Sequence, residues 1–197
     1  NDVRDVMQGN SLLKSIRQKK YDAQILKGIR YTDQRSYESA LKAFDAADSL
    51  LSTYDLQEAK NIGTTILMAA RPRAIELLYE GEAYVKNNQL TEARNVYRSS
   101  MDIQQRYGIT GEKDLLKHSE SLRKSIFSQQ CQNAQNEIDR AYNDGQQFES
   151  EGNFLDANAA YDHAISVNEQ NRDCNCQLDS VISAQEAIRP AVTYLEL

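Results

Sequence analysis

Fifteen residues of this chain fall into three sets with one internal spacing, and that repetition limits the fold more than any other feature. Gly28, Tyr31, Ala40, Phe44 and Ala47 stand at offsets of three, twelve, sixteen and nineteen from the glycine. The same offsets recur in Gly81, Tyr84, Ala93, Tyr97 and Ser100, and again in Gly145, Phe148, Ala157, Tyr161 and Ala164. Inside each set a short polar stretch interrupts the apolar pattern: TDQRS at 32–36, NNQ at 87–89 and EGN at 151–153. Each set therefore predicts a helix, a tight turn and a returning helix. The chain reads as a helical repeat array.

Composition agrees. The 197 residues are 40% hydrophobic, with no Trp, two Pro and eight Gly, which suits helices joined by thin apolar seams. No apolar run approaches the roughly 20 residues that span a bilayer, so direct membrane insertion is not expected. The net charge of −6 argues against nucleic-acid binding, which needs clustered Lys and Arg. Residue 1 is Asn and no secretory signal is visible, as in a mature form or an excised piece.

Taken in order, residues 1–10 are polar, with Gly9 and Asn10 as a break or a helix start. Residues 11–32 predict one long helix or two shorter ones, and Tyr37–Leu51 its partner. Residues 56–70 predict an extra helix weakened at Gly63, after which Pro72 starts or kinks the next, running to about Lys86. Leu90 to Arg106 returns. The loop YGITG (107–111) precedes a second extra stretch at 112–129. The third hairpin spans 131–168, NRDCNC is a loop, and a last helix covers 177–195.

The three sets resemble the tetratricopeptide repeat, a helix–turn–helix unit of 34 residues. The resemblance covers repeats at about 21–54, 74–107 and 138–171, and it implies an all-α solenoid, a right-handed superhelix of three hairpins, forming a single domain over 1–197. Within it the small residues lie where helices cross closely, and the aromatics fill space between hairpins. Residues 188–197, IRPAVTYLEL, resemble ARPRAIELLYE at 70–80, so a fourth unit starting at 178–197 and a longer parent protein are expected. Two departures stand out. Glycine-to-glycine spacings are 53 and 64, so nineteen and thirty extra residues must add helices or lengthen them. The proline that closes a regular unit is replaced by Ser52 in the first.

The cysteines Cys131, Cys174 and Cys176 do not form a zinc pattern. One reading is three free thiols in a cytosolic protein. The other follows from the resemblance: the third hairpin would bring Cys131 beside Cys174 or Cys176, allowing a disulfide with either and an oxidising compartment such as a periplasm.

No catalytic constellation emerges. His118 and His163 lack a neighbouring nucleophile or acid at a useful spacing, and no phosphate loop, nucleophile elbow or metal motif is present. Neither enzyme activity, nor a metal, nor a cofactor is expected. In the resembled family the first helix of each unit lines a concave, partner-binding groove. By position the lining here is Ile25, Ile29 and Thr32, then Leu78, Glu82 and Val85, then Asp139, Tyr142, Gln146 and Glu149. The carboxylate-clamping subfamily is not matched, since its basic and amide positions fall on Ile25, Ile29, Tyr79, Asp139 and Asn143. The expected function is a non-catalytic scaffold for a protein or peptide partner. Rival readings are a structural spacer in an envelope protein and a small-molecule or glycan receptor.

Overall fold

The computed structural model describes residues 2–195, with side chains described from residue 7. The protein is all-helical, with seven α-helices, 85% helix and no strand among the described residues. They are α1 (Asp2–Asp33), α2 (Tyr37–Thr53), α3 (Ile62–Lys86), α4 (Leu90–Arg106), α5 (Lys113–Ser150), α6 (Phe154–Gln170) and α7 (Asp179–Leu195), with one 3-10 turn at Arg172–Cys174. Two compact units divide the chain, Asn1–Leu122 and Arg123–Leu197, and the division falls within α5.

Three of the turns are built identically. In each the aromatic residue at the end of the first helix accepts, at its carbonyl, an N–H five residues on: Ser36 to Tyr31 at 2.8 Å, Gln89 to Tyr84 at 2.9 Å and Asn153 to Phe148 at 2.8 Å. The residue just before each donor is left-handed, Arg35 at φ 57°, Asn88 at 57° and Gly152 at 77°. This is a helix C-terminus closed by a 6→1 hydrogen bond through a left-handed residue. The next helix then starts with the N–H of Ala40, Ala93 or Ala157 donating to Ser36, Gln89 or Asn153.

Beyond the turns, the glycine meets an aromatic ring in two of the three pairs. A Cβ on Gly28 would enter the ring of Phe44, and one on Gly145 the ring of Tyr161. The middle pair differs. Gly81 is covered by Leu122 of α5 and by Val96, while Tyr97, at the matching position, is only half-buried. The extra residues before the third pair supply Leu122, and it occupies the space expected for the ring.

The insertions lengthen helices instead of adding them. Gly9 does not break α1, and residues 112–129 run without a break into the third pair as α5. The helix expected over 56–70 begins only at Ile62, because side chains of α1 capture the backbone before it. Gln18 donates to the Gln57 carbonyl at 3.0 Å and accepts its N–H at 2.9 Å, and the Tyr21 hydroxyl accepts the Ala59 N–H at 3.0 Å. Pro72 lies well inside α3, where it deprives the Met68 carbonyl of its usual N–H partner; Met68 itself is an exposed residue.

The core of the first unit contains a polar knot. Buried Ser100 donates to the Ala74 carbonyl at 2.8 Å, and buried Gln104 donates to Ser100 and Ser119, both at 3.1 Å. No buried side-chain nitrogen or oxygen among the described residues lacks a hydrogen-bond partner. At the edge of this unit Tyr107 donates to Asp45 at 3.0 Å, and Arg106 pairs with the same carboxylate at 2.8 Å. Burial first, and then that hydrogen bond, push the Tyr107 phenol up to about 12. Tyr161 is raised as well, first by burial and then by its bond to Glu149.

Gly145→Ala is expected to lower stability by about 1–3 kcal/mol, the range for overpacking against a fixed ring, whereas Arg35→Gly should raise it by roughly 0.5–1 kcal/mol by relieving the left-handed backbone. Denaturant titration followed by circular dichroism reads both signs. The raised phenols favour the protonated folded state, so their contribution is intact below the ordinary tyrosine pKa of about 10. It should fade as the pH rises from there through about 12. Absorbance titration should show two tyrosines ionising late, and Tyr107→Phe should remove one.

Candidate functional site

Among the described residues, no three His, Cys, Asp or Glu side chains stand together as metal ligands, and no helix is long and apolar enough to cross a membrane. His118 sits half-buried with its ring edge 5.2 Å from Tyr79, and exposed His163 contacts Glu137 at 3.1 Å. Neither addresses a nucleophile.

The ten groove positions separate by burial. Ile25 is 7% exposed, Leu78 1% and Val85 9%. These three are core residues with no surface to offer a partner, a correction to their placement in the lining. Their apolar side chains pack the helix pairs. Ile29, Thr32, Glu82, Tyr142 and Glu149 are half-buried, and Asp139 and Gln146 are exposed. Thr32 is turned to its own helix, donating to the Gly28 carbonyl at 3.0 Å. Glu149 accepts the Tyr161 hydroxyl at 2.8 Å.

In the second unit Asp139 and Tyr142 face one groove of about 460 Å³ between α5 and the start of α7. Its walls are Gln135, Asp139 and Tyr142 on one side and Gln177, Asp179 and Ser180 on the other, with buried Ile138 and Val181 beneath. Spacing explains the α5 wall: positions 135, 138, 139 and 142 lie on one helix face. Two other hollows of similar volume, one between α6 and α7 and one beside Lys14, present no aromatic ring.

Several contacts fix the groove's shape. Gln135 donates to Asp139 at 2.8 Å and accepts the Gln177 N–H at 2.8 Å, so one amide joins both walls. Tyr142 accepts a hydrogen bond from Gln146 at 2.8 Å, and its ring lies 6.1 Å from that of fully buried Tyr161. Below the groove Cys131 and Cys174 form a disulfide with Cα atoms 5.1 Å apart, leaving Cys176 as the free, half-buried thiol. Gln130 donates to Asn171 at 2.9 Å beside it. The loop feeding the α7 wall is thereby held to α5 at three successive points.

Sequence reasoning missed Gln135, Gln177, Asp179 and Ser180. The first two are exposed-type polar residues whose only signal is their position, one turn after Cys131 and directly after Cys176.

No family model matches this chain, and no curated protein or solved structure is detectably similar to it.

The disulfide closes a separation of 43 residues, which in the chain-entropy argument stabilises the folded state by about 4 kcal/mol. Cys131→Ser with Cys174→Ser should lower the unfolding free energy of the second unit by that order and its denaturation midpoint accordingly. Added reductant should do the same to the wild type, and Cys176→Ser should leave it unchanged.

Proposed function

We propose that this chain is a non-catalytic interaction module, an irregular tetratricopeptide-like array whose second unit takes a peptide or protein partner in the groove between α5 and α7. The observation that carries the proposal is Tyr142. It is a half-buried ring on a helix face, backed by Tyr161 and flanked by polar groups, in an open groove. Large aromatic anchors with a polar rim concentrate binding energy in protein interfaces. The repeat reading draws support from the three turns with identical hydrogen bonds and from the glycine–ring contact in two helix pairs. Right-handed solenoid stacking belongs to the same proposal. The disulfide favours an oxidising compartment such as a periplasm.

Selection of random short peptides on the intact protein, repeated with Tyr142→Asp, tests this. Circular dichroism should show the variant folded, since Tyr142 lies at a groove surface. Enriched peptides should lose at least about thirtyfold in affinity, the equivalent of a hot spot worth roughly 2 kcal/mol. Peptides held equally by both proteins would place recognition elsewhere. No enrichment at all would favour a structural spacer.

A further inference from the structure

Charge is unevenly divided along the chain. Residues 123–197 hold twelve Asp and Glu against five Lys and Arg, a net −7, while residues 1–122 hold seventeen against eighteen, a net +1. The acidity of the protein belongs entirely to the unit that carries the groove.

Within the groove the same sign holds. Asp139 and Asp179 stand on opposite walls, no lining residue is cationic, and neither acid forms an ion pair among the described residues. The N-terminus of α7 opposes them with a partial charge of about +0.5. Two full carboxylates outweigh it. Gln135 fixes Asp139 by donating to one of its oxygens, which leaves the second oxygen free to accept. Tyr142 adds a ring whose face attracts an ammonium or guanidinium group, and its hydroxyl is tied back to Gln146.

We infer that the groove binds an extended, cationic polypeptide segment, seating a Lys or Arg side chain against the Tyr142 ring between Asp139 and Asp179. This rests on the groove proposed above and assigns its ligand class. The remaining wall groups, Gln177 and Ser180, suit the backbone amides of an extended chain. The surrounding net charge steers such a segment toward the site. Gln135 is a positioning residue: it orients Asp139 and holds the two walls together.

The test measures fluorescence anisotropy of three labelled peptides, alternating Lys–Ser, Gln–Ser and Glu–Ser, on the intact oxidised protein. The lysine peptide should bind best and the glutamate peptide not at all, with affinity falling as salt is raised. Asp139→Asn with Asp179→Asn should weaken the lysine peptide about fivefold or more, as expected for exposed ion pairs, and Tyr142→Ala about thirtyfold, as expected for an anchor ring holding a desolvated cation. Asp144→Asn with Glu169→Gln removes the same charge from exposed positions of this unit outside the groove, and should change affinity less than about twofold. Equal weakening by both double variants would overturn the inference in favour of a diffuse acidic field. Binding of the glutamine or glutamate peptide in preference, lost with Tyr142→Ala, would overturn the ligand class while the groove survives. No binding by any of the three, with no enrichment in the random selection, would sink both.

Discussion

The close approach of a backbone to an aromatic face is what the first and third helix pairs depend on. Gly28 lies against Phe44 and Gly145 against Tyr161, with no room for even one carbon more. Such contacts bury a large ring without parting the helices, and they let Ala40, Ala157 and Ala164 close to full burial nearby. The aromatic is fixed in turn by its surroundings. Tyr161 is wholly buried, yet its hydroxyl reaches Glu149, so the ring cannot slide without breaking a hydrogen bond. That rigidity passes outward: Tyr142 rests 6.1 Å from Tyr161, and a groove residue inherits its orientation from a packing residue.

The two units solve the same packing problem by different means. In the second, apolar contacts dominate, with Ile138, Tyr161, Val181 and Ile188 in one cluster, and a covalent bridge holds the loop between α6 and α7 to α5. The first has no bridge. It stitches its longest connection to α1 through Gln18 and Tyr21, and fastens its core with the Ser100–Gln104–Ser119 knot. Buried polar networks of that kind are stabilising only when every member is satisfied, and here each is. Their geometry also fixes which faces meet, a constraint that alanine-rich seams supply weakly.

What the sequence disclosed was set by short-range rules. Helix ends at Lys86, Leu90 and Arg106 and the three turns follow from local hydrogen bonding, and their polar residues announce it. The fate of the insertions was hidden because it turns on long-range contacts: the reach of Gln18 to Gln57 and of Tyr21 to Ala59 keeps residues 55–61 out of a helix. Pro72 allowed two readings, a helix start or a kink, and its place inside α3 removes the first. A proline can be accommodated inside a helix where the surrounding packing allows it, and sequence does not reveal where along α3 that is. Among the groove positions, Asp139 and Tyr142 were reached only through the resemblance to the repeat family, and both line the groove between α5 and α7. The opposite wall was not reached, since its register relative to α5 is fixed by the bridge and by Gln135.

A regular repeat array would place equivalent positions of successive first helices at equal steps, so that a ligand could read them in series. This chain breaks that regularity where α3 and α5 are lengthened, and where Leu122 takes the place expected for the Tyr97 ring. Three of the ten positions taken from a regular array are core, and of the other seven only Asp139 and Tyr142 share one groove. The physical consequence is concentration. Shape, aromatic contact and negative charge coincide between α5 and α7, next to the one covalent constraint among the described residues, and recognition by a single rigid groove needs less of the chain to be ordered at binding than recognition along a superhelix would.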